Sequence, residues 1–240
     1  VHPIERLRHV ARAGRADPSE LAAEAAWALA DLVEREAPAL VPACRRLLDR
    51  QPGCGPLWWL AARVLSAGDP AREAQRCAQD LEDDPTRIVM LDALPRGARA
   101  VRKGAVSEVS NADLVLVTSE ALGPGGMVAD SSCGALLDAA RTAEVPVWVE
   151  SGVGRVLPQR IWEAMCRRLG ASATHGRNAV SSGSSGVDAH GVRFAPARGH
   201  SGVFDHFVVE KVVGPTGVQP LAVALAGCDC PEPPELLVVP

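Results

Sequence analysis

The sequence predicts an α/β protein: an all-helical amino-terminal unit, then a mostly parallel sheet flanked by helices. Three observations carry this. Up to residue 84, apolar positions recur at three- and four-residue spacing, with proline- and aspartate-bearing breaks between the runs. Residues 111–150 then hold a continuous apolar run, a helix-forming stretch and a second run rich in β-branched residues. Strand, helix and strand within about 40 residues make a βαβ crossover, expected to be right-handed.

Taken in order, residues 3–17 read as a first helix with Ile4, Leu7 and Val10 on one face. Asp17-Pro18-Ser19 breaks it and starts the next, 19–36, where Leu21, Ala25, Leu29 and Leu32 recur at helical spacing. A third helix spans about 38–50, and Gln51 to Pro56 is a turn. Leu57 to Ser66 restarts a helix carrying Trp58 and Trp59. Adjacent residues point about 100° apart on a helix. One tryptophan therefore faces the core, and the other covers a helix or domain contact. Residues 69–82 form a fifth helix, and Asp83-Asp84-Pro85 marks a boundary between a helical domain, 1–84, and an α/β domain, 85–240.

Beyond that boundary Ile88 to Leu91 reads as a short strand. Arg96-Gly97-Ala98-Arg99, with Arg102 and Lys103 close behind, is the most positive stretch of the chain. It is either a solvated face or a phosphate clamp at a loop-to-helix transition, since guanidinium grips phosphate oxygens in pairs. Leu114 to Val117 is an apolar strand without alternation, suited to burial on both faces. Gly123-Pro124-Gly125-Gly126 follows, then a helix over 131–141 that Asp130, Ser131 or Ser132 can cap, then the strand Val145 to Val149. Function in such sheets sits at the carboxyl ends of strands. Those ends carry Thr118, Ser119 and Glu120, and later Glu150, Ser151 and Gly152. The glycines either present backbone N–H groups to an anion or merely shape a tight turn.

Residues 158–169 form another helix, and a flexible loop is expected over about 172–201, with Ser181 to Gly186 linker-like in composition. Phe204 to Val218 resumes order, its β-branched content pointing to strand. From Cys228 the chain is proline-rich and irregular.

Composition bounds the function. Apolar content of 47% and charged content of 22% suit an ordinary globular chain with ample core. No run approaches membrane-spanning length and the first residues have no signal-peptide core, so a cytoplasmic protein is expected. A net charge of −4, no tyrosine and three phenylalanines argue against direct nucleic-acid binding. Seven cysteines, an odd number, read as reduced thiols. Neither Cys228-Asp229-Cys230 nor the histidines at 175, 190, 200 and 206 have ligand spacing, so no metal and no cofactor is expected.

The 111–150 segment resembles the core of the initiation factor 2B alpha/beta/delta superfamily, which also holds methylthioribose-1-phosphate isomerase and ribose-1,5-bisphosphate isomerase. Ala112 to Val117 is similar to its entering strand. Ser119-Glu120-Ala121-Leu122 resembles its Ala-acid-hydrophobic step, and Gly125-Gly126-Met127-Val128 its glycine turn. Val145-Pro146-Val147-Trp148-Val149 resembles its Val-Pro-aromatic-Val strand, and Pro56 to Ala61 the helical region of bacterial members.

The resemblance implies a Rossmann-like sheet of the NagB/RpiA/CoA-transferase kind, here shortened. Only about 25 residues separate Leu91 from Leu114, where the family needs two further βα units and its catalytic cysteine loop. It implies a turn and short helix after Phe204-Asp205, a reading we adopt over strand. It also implies a ligand site from Arg96, Gly97, Ala98, Arg99, Gly125, Gly126 and Asp130. The candidate catalytic residues are Glu120, the acid at the strand end, and Cys133, near a helix start where a thiol pKa can fall; the alternatives are turn capping or pairing with an arginine for Glu120, and a small core or cap residue for Cys133. The isomerases use a turn aspartate where this chain has Gly126. Their Asn-Lys pair falls on Ala129-Asp130, which places a negative charge where phosphate favours a cation. The expected protein is therefore a noncatalytic regulatory or assembly factor. Its expected ligand is a phosphorylated sugar or nucleotide, and its expected partner is a second copy or a related subunit. An isomerase acting on a ribose-1-phosphate derivative, and a scaffold binding proteins through Trp58 or Trp59, are the alternatives.

Overall fold

The computed structural model describes residues 2–13, 16–102, 106–177, 201–204 and 209–237. The amino-terminal helices are α1 (Pro3–Arg12), α2 (Pro18–Glu36), α3 (Leu40–Arg50), α4 (Gly55–Ser66) and α5 (Pro70–Glu82). Helices α1, α2 and α5 open on proline behind His2, Asp17 and Asp69, whose side chains accept first-turn N–H groups. Ala22, Ala25, Ala26 and Leu29 of α2 are fully buried, and the three alanines let neighbouring helices approach closely. Trp58 and Trp59 are both buried. Trp58 donates its indole N–H to Pro52 O at 2.9 Å. Trp59 covers the contact with the sheet-bearing part: it donates to Asp229 Oδ1 at 3.0 Å and leaves a Cβ at Gly154 only 2.9 Å from its ring.

Residues 88–91 are not a strand. They lie in α6 (Thr86–Ala93), which Asp84 starts by accepting from Thr86 N at 2.9 Å and from the Thr86 hydroxyl. In a strand, residues 88 and 90 would share a face. Here Ile88 is 65% exposed and Met90 fully buried, the arrangement a helix permits.

The remaining elements are β1 (Ala100–Val101), β2 (Leu114–Thr118), β3 (Ala121–Gly123), β4 (Gly126–Asp130), α7 (Cys133–Thr142), β5 (Val147–Glu150) and α8 (Gln159–Arg177). They are followed by β6 (Ser201–Phe204), β7 (Val209–Gly214), β8 (Gly217–Pro220), α9 (Leu221–Ala226) and α10 (Pro234–Leu237). The main sheet runs β1-β2-β5-β7-β8, parallel except for the edge strand β8. Its faces follow the pleat. Leu114, Leu116, Trp148 and Val213 meet Met90 of α6, whereas Val115, Val117, Val147 and Val149 meet Leu136, Leu137 and Ala140 of α7. Strand β2 is thus covered on both sides, as its unbroken apolar run requires.

Between β2 and α7 the chain inserts a hairpin, β3–β4, which pairs with β6 as a second, antiparallel sheet. The glycine-rich bend is the tip of this hairpin, not the entrance to a helix. Three other expectations change. Helix α8 continues to Arg177, through part of the expected loop. The linker Ser181 to Gly186 and His190, His200 and His206 lie outside the described residues. The helix implied after Phe204-Asp205 gives way, from Val209, to the hairpin β7–β8, so β-branched content outweighed the resemblance there.

Candidate functional site

The carboxyl edge of the main sheet is knitted to the helices. Glu120, just beyond β2, donates its backbone N–H to Val128 O at 2.7 Å and accepts at its carbonyl from Gly55 N at 3.1 Å. Its half-buried carboxylate turns toward the α3–α4 turn, where a Cβ on Gly53 would stand 3.7 Å from Oε2. Thr118 Oγ1 donates to Glu150 Oε2 at 3.0 Å. Asp84 Oδ2 accepts from Val153 N at 2.8 Å. Arg155, 7% exposed, donates to Ser119 O and, at 2.9 Å, to Ser19 Oγ. Its charge is engaged in joining α2 to the sheet rather than turned to solvent.

The glycines have a packing reason. A Cβ on Gly123 would come within 2.6 Å of the Trp162 indole Cγ, and one on Gly125 within 2.7 Å of its Nε1. Gly126 has φ +143°, and a Cβ there would meet Phe204 O at 2.5 Å. The bend is shaped to receive Trp162. Asp130 holds the start of α7, accepting from Ser132 N at 2.9 Å and Ser132 Oγ at 2.6 Å. Cys133, on the first turn of α7, is buried with Leu136, Val115 and Val147.

Arg96, Gly97, Ala98 and Arg99 lie elsewhere. They precede β1, which pairs in parallel with β2 through Ala100 opposite Leu114. Arg99 N donates to Asp113 Oδ2 at 2.8 Å, and Asp113 N to Arg99 O at 2.9 Å. The arginines therefore stand at the amino edge of the sheet, while Glu120 and the hairpin follow its carboxyl edge. Seven residues of extended chain, at about 3.3 Å each, put roughly 20 Å between the two groups. The single site expected from both segments does not form.

At the amino edge the arginine loop borders a cavity of about 410 Å³, lined by Pro95, Arg96, Asp113, Trp148, Glu210 and Lys211 among others. Lys211 Nζ lies 4.8 Å from the Trp148 ring centroid. Sequence reasoning missed Trp148, Glu210 and Lys211 as lining residues, and Arg155 and Trp162 as organising ones. No spacing rule joins residues so distant in the chain. Among the described residues no group of three or more His, Cys, Asp or Glu side chains is placed to hold a metal ion. Burial pushes the Cys44, Cys54 and Cys77 thiols up to about 12 and Cys166 to about 11.

No family model and no curated relative matches the sequence. Solved structures do match. One, eIF2B beta from Chaetomium thermophilum, aligns over 97% of this chain and 92% of its own, with a TM-score of 0.68 at 11% identity. The chain has the initiation factor 2B fold. The translation initiation factor eIF-2B of Pyrococcus horikoshii OT3 shares this fold over 90% of this chain and 96% of its own, with a TM-score of 0.62 at 12% identity. So does 5-methylthioribose 1-phosphate isomerase from the same organism, over 93% and 86%, with a TM-score of 0.55 at 11% identity. Translation initiation factors and an isomerase therefore share the fold this chain has. Among the described residues of this chain, no helix is long and apolar enough to cross a membrane.

Proposed function

We propose that this chain is a noncatalytic, initiation-factor-2B-like protein with a regulatory or assembly role. One observation carries the reading: the arginine loop and the acid at Glu120 occupy opposite edges of the sheet. An isomerase must hold a phosphate and move a proton on the same sugar. Here the arginine loop and Glu120, the candidates for those two tasks, stand roughly 20 Å apart. Cys133 is buried in the α7 interface. A phosphorylated sugar above Glu120 also loses its expected clamp, and the charges at that edge include Glu120, Glu150 and Asp84.

Assembly has positive support. Helix α6 is the helix that meets Trp148 and Val213 on its face of the sheet, and it turns Ile88, 65% exposed, and Leu91, 60% exposed, outward one turn apart. Exposed Arg87 and Asp92 flank this apolar pair. A surface that brings a cation and an anion around an apolar centre is self-complementary, as a two-fold contact requires. A homodimer through α6 is the occupant we favour. The scaffold alternative loses its proposed surface, because Trp58 and Trp59 are both buried.

The test has two arms. Incubation with 5-methylthioribose 1-phosphate and ribose 1,5-bisphosphate should give no ketose product above background. Light scattering after size exclusion should show a dimer that Ile88→Glu/Leu91→Glu converts to monomer. Turnover abolished by Glu120→Gln would overturn the noncatalytic reading, and a monomeric parent protein would overturn the assembly reading.

A further inference from the structure

We infer that the cavity at the amino edge of the main sheet binds a small zwitterion of the α-amino acid class. The cavity measures about 410 Å³, ample for a single amino acid with water around it. It lies at the opposite edge from Glu120 and the hairpin bend, so it is a different site from the one the fold would suggest, and the inference does not rest on the noncatalytic reading.

The lining is unusual in its balance. Arg96 and Lys211 bring two cations, and Asp113 and Glu210 bring two anions, around a wall of Pro95, Pro146 and Trp148. A phosphate or a metal ion would meet two charges of its own sign. A ligand with both signs on one α-carbon and an apolar side chain meets a partner at each point.

The loop that carries Arg96 is built to hold its place. Ala98 N donates to Pro95 O at 3.0 Å, closing a turn with Gly97 at its third position and φ +80°, the type II form. Asp113 then pins the far end of that turn through the reciprocal bonds with Arg99. The turn leaves Arg96 exposed, and its guanidinium makes no ion pair with a described residue. Only one oxygen of Asp113 is occupied by the Arg99 N–H, so the other can accept from an ammonium. Lys211 is held over Trp148 at 4.8 Å and lies 3.6 Å from Glu210, a loose pair that a ligand can open. In the site so formed, Arg96 and Lys211 take the carboxylate, Asp113 and Glu210 the ammonium, and the proline–tryptophan wall the side chain.

The experiment is calorimetric titration of the full chain with L-leucine, L-phenylalanine and glycine, each up to 20 mM. The single-charge halves of leucine, 4-methylpentanoate and 3-methylbutylamine, are run alongside. Leucine or phenylalanine should bind with a Kd in the millimolar range or below, and each half at least tenfold more weakly. Arg96→Gln and Glu210→Gln alter exposed side chains and should each weaken amino acid binding at least tenfold with an unchanged melting temperature. No saturable binding by any of the three amino acids would overturn the inference. Binding of 4-methylpentanoate as tight as that of leucine would replace it with a simple anion site. Binding undiminished in both variants would place the amino acid elsewhere, and that too would overturn it.

Discussion

Gly123→Ala separates the two meanings of the hairpin bend. If the glycines cradle an anion, a methyl on Gly123 costs little in the free protein. If they exist to admit Trp162, the methyl cannot be accommodated. The new Cβ would stand 2.6 Å from indole Cγ and closer still to Cδ2 and Cε3. Carbon atoms pack best at about 3.5–4.0 Å, so the ring must retreat by roughly 1 Å. It has nowhere to go: Trp162 is 4% exposed and belongs to the cluster that includes Leu157, Ile161 and Met165. Gly123 does not have a positive φ, so no backbone strain confuses the result. Overpacking of this kind costs about 1–3 kcal/mol, and the closed surroundings put this case near the upper end. For a chain of this size that is a fall of about 6–12 °C in Tm.

The companion variant Trp162→Ala should cost about 3–5 kcal/mol by itself. In that background the added methyl has room, and Gly123→Ala should be neutral or stabilise by up to about 1 kcal/mol. The double-mutant cycle, read by urea denaturation, should therefore show a coupling of about 2–4 kcal/mol. A single-variant loss below about 0.5 kcal/mol, or additive effects, would refute the packing explanation and return the bend to anion binding.

Three other perturbations follow from the same contacts. Asp229→Ala strands the buried Trp59 indole N–H and removes one of the two carboxylates that hold Arg63, Asp229 at 2.7 Å, leaving Glu73. It should cost about 1–3 kcal/mol, and equal urea midpoints for variant and parent would contradict this. Asp84→Ala removes the acceptor for Thr86 N at the start of α6 and the acceptor for Val153 N. About 2 kcal/mol is expected from the two bonds together, with faster amide exchange at Val153 as the local signature. Burial raises the Cys44 and Cys54 thiols to about 12, against about 8.5 unfolded. A raised folded value means full stability below about pH 8.5 and progressive loss toward pH 12, at up to about 1.4 kcal/mol per pH unit per thiol. Between pH 8 and 10 the parent should therefore lose about 2 kcal/mol more than Cys44→Ala, and parallel pH profiles would count against the buried-thiol account.

Much of the architecture was legible because it is written in local patterns. The helices of the first 84 residues, the double-sided burial of β2 and the crossover through α7 to β5 all follow from periodicity and breaker residues. The hairpin β3–β4 was not legible as strand, because each arm is short and its bend reads equally well as a phosphate loop. What distinguishes the two is Trp162, some 36 residues from Gly126, and no local pattern reports a partner at that distance.

The candidate site failed for one reason that can be traced. Periodicity reports which face a residue occupies, but the edge of a parallel sheet depends on whether a residue precedes or follows its strand. With a strand at 88–91, Arg96 to Arg99 follow it and fall at the carboxyl edge, beside Glu120. With a helix there and a strand at Ala100–Val101, the same arginines precede their strand and fall at the amino edge. Two residues are too few for any alternation to be seen, and Ile88-Val89-Met90-Leu91 offers the β-branched signal in their place. Asp84, accepting from Thr86 N, supports a helical start over 86–93 rather than a strand. A helix in place of a strand at 86–93 therefore carries the arginines across the sheet, out of reach of the acid and onto the rim of a different cavity.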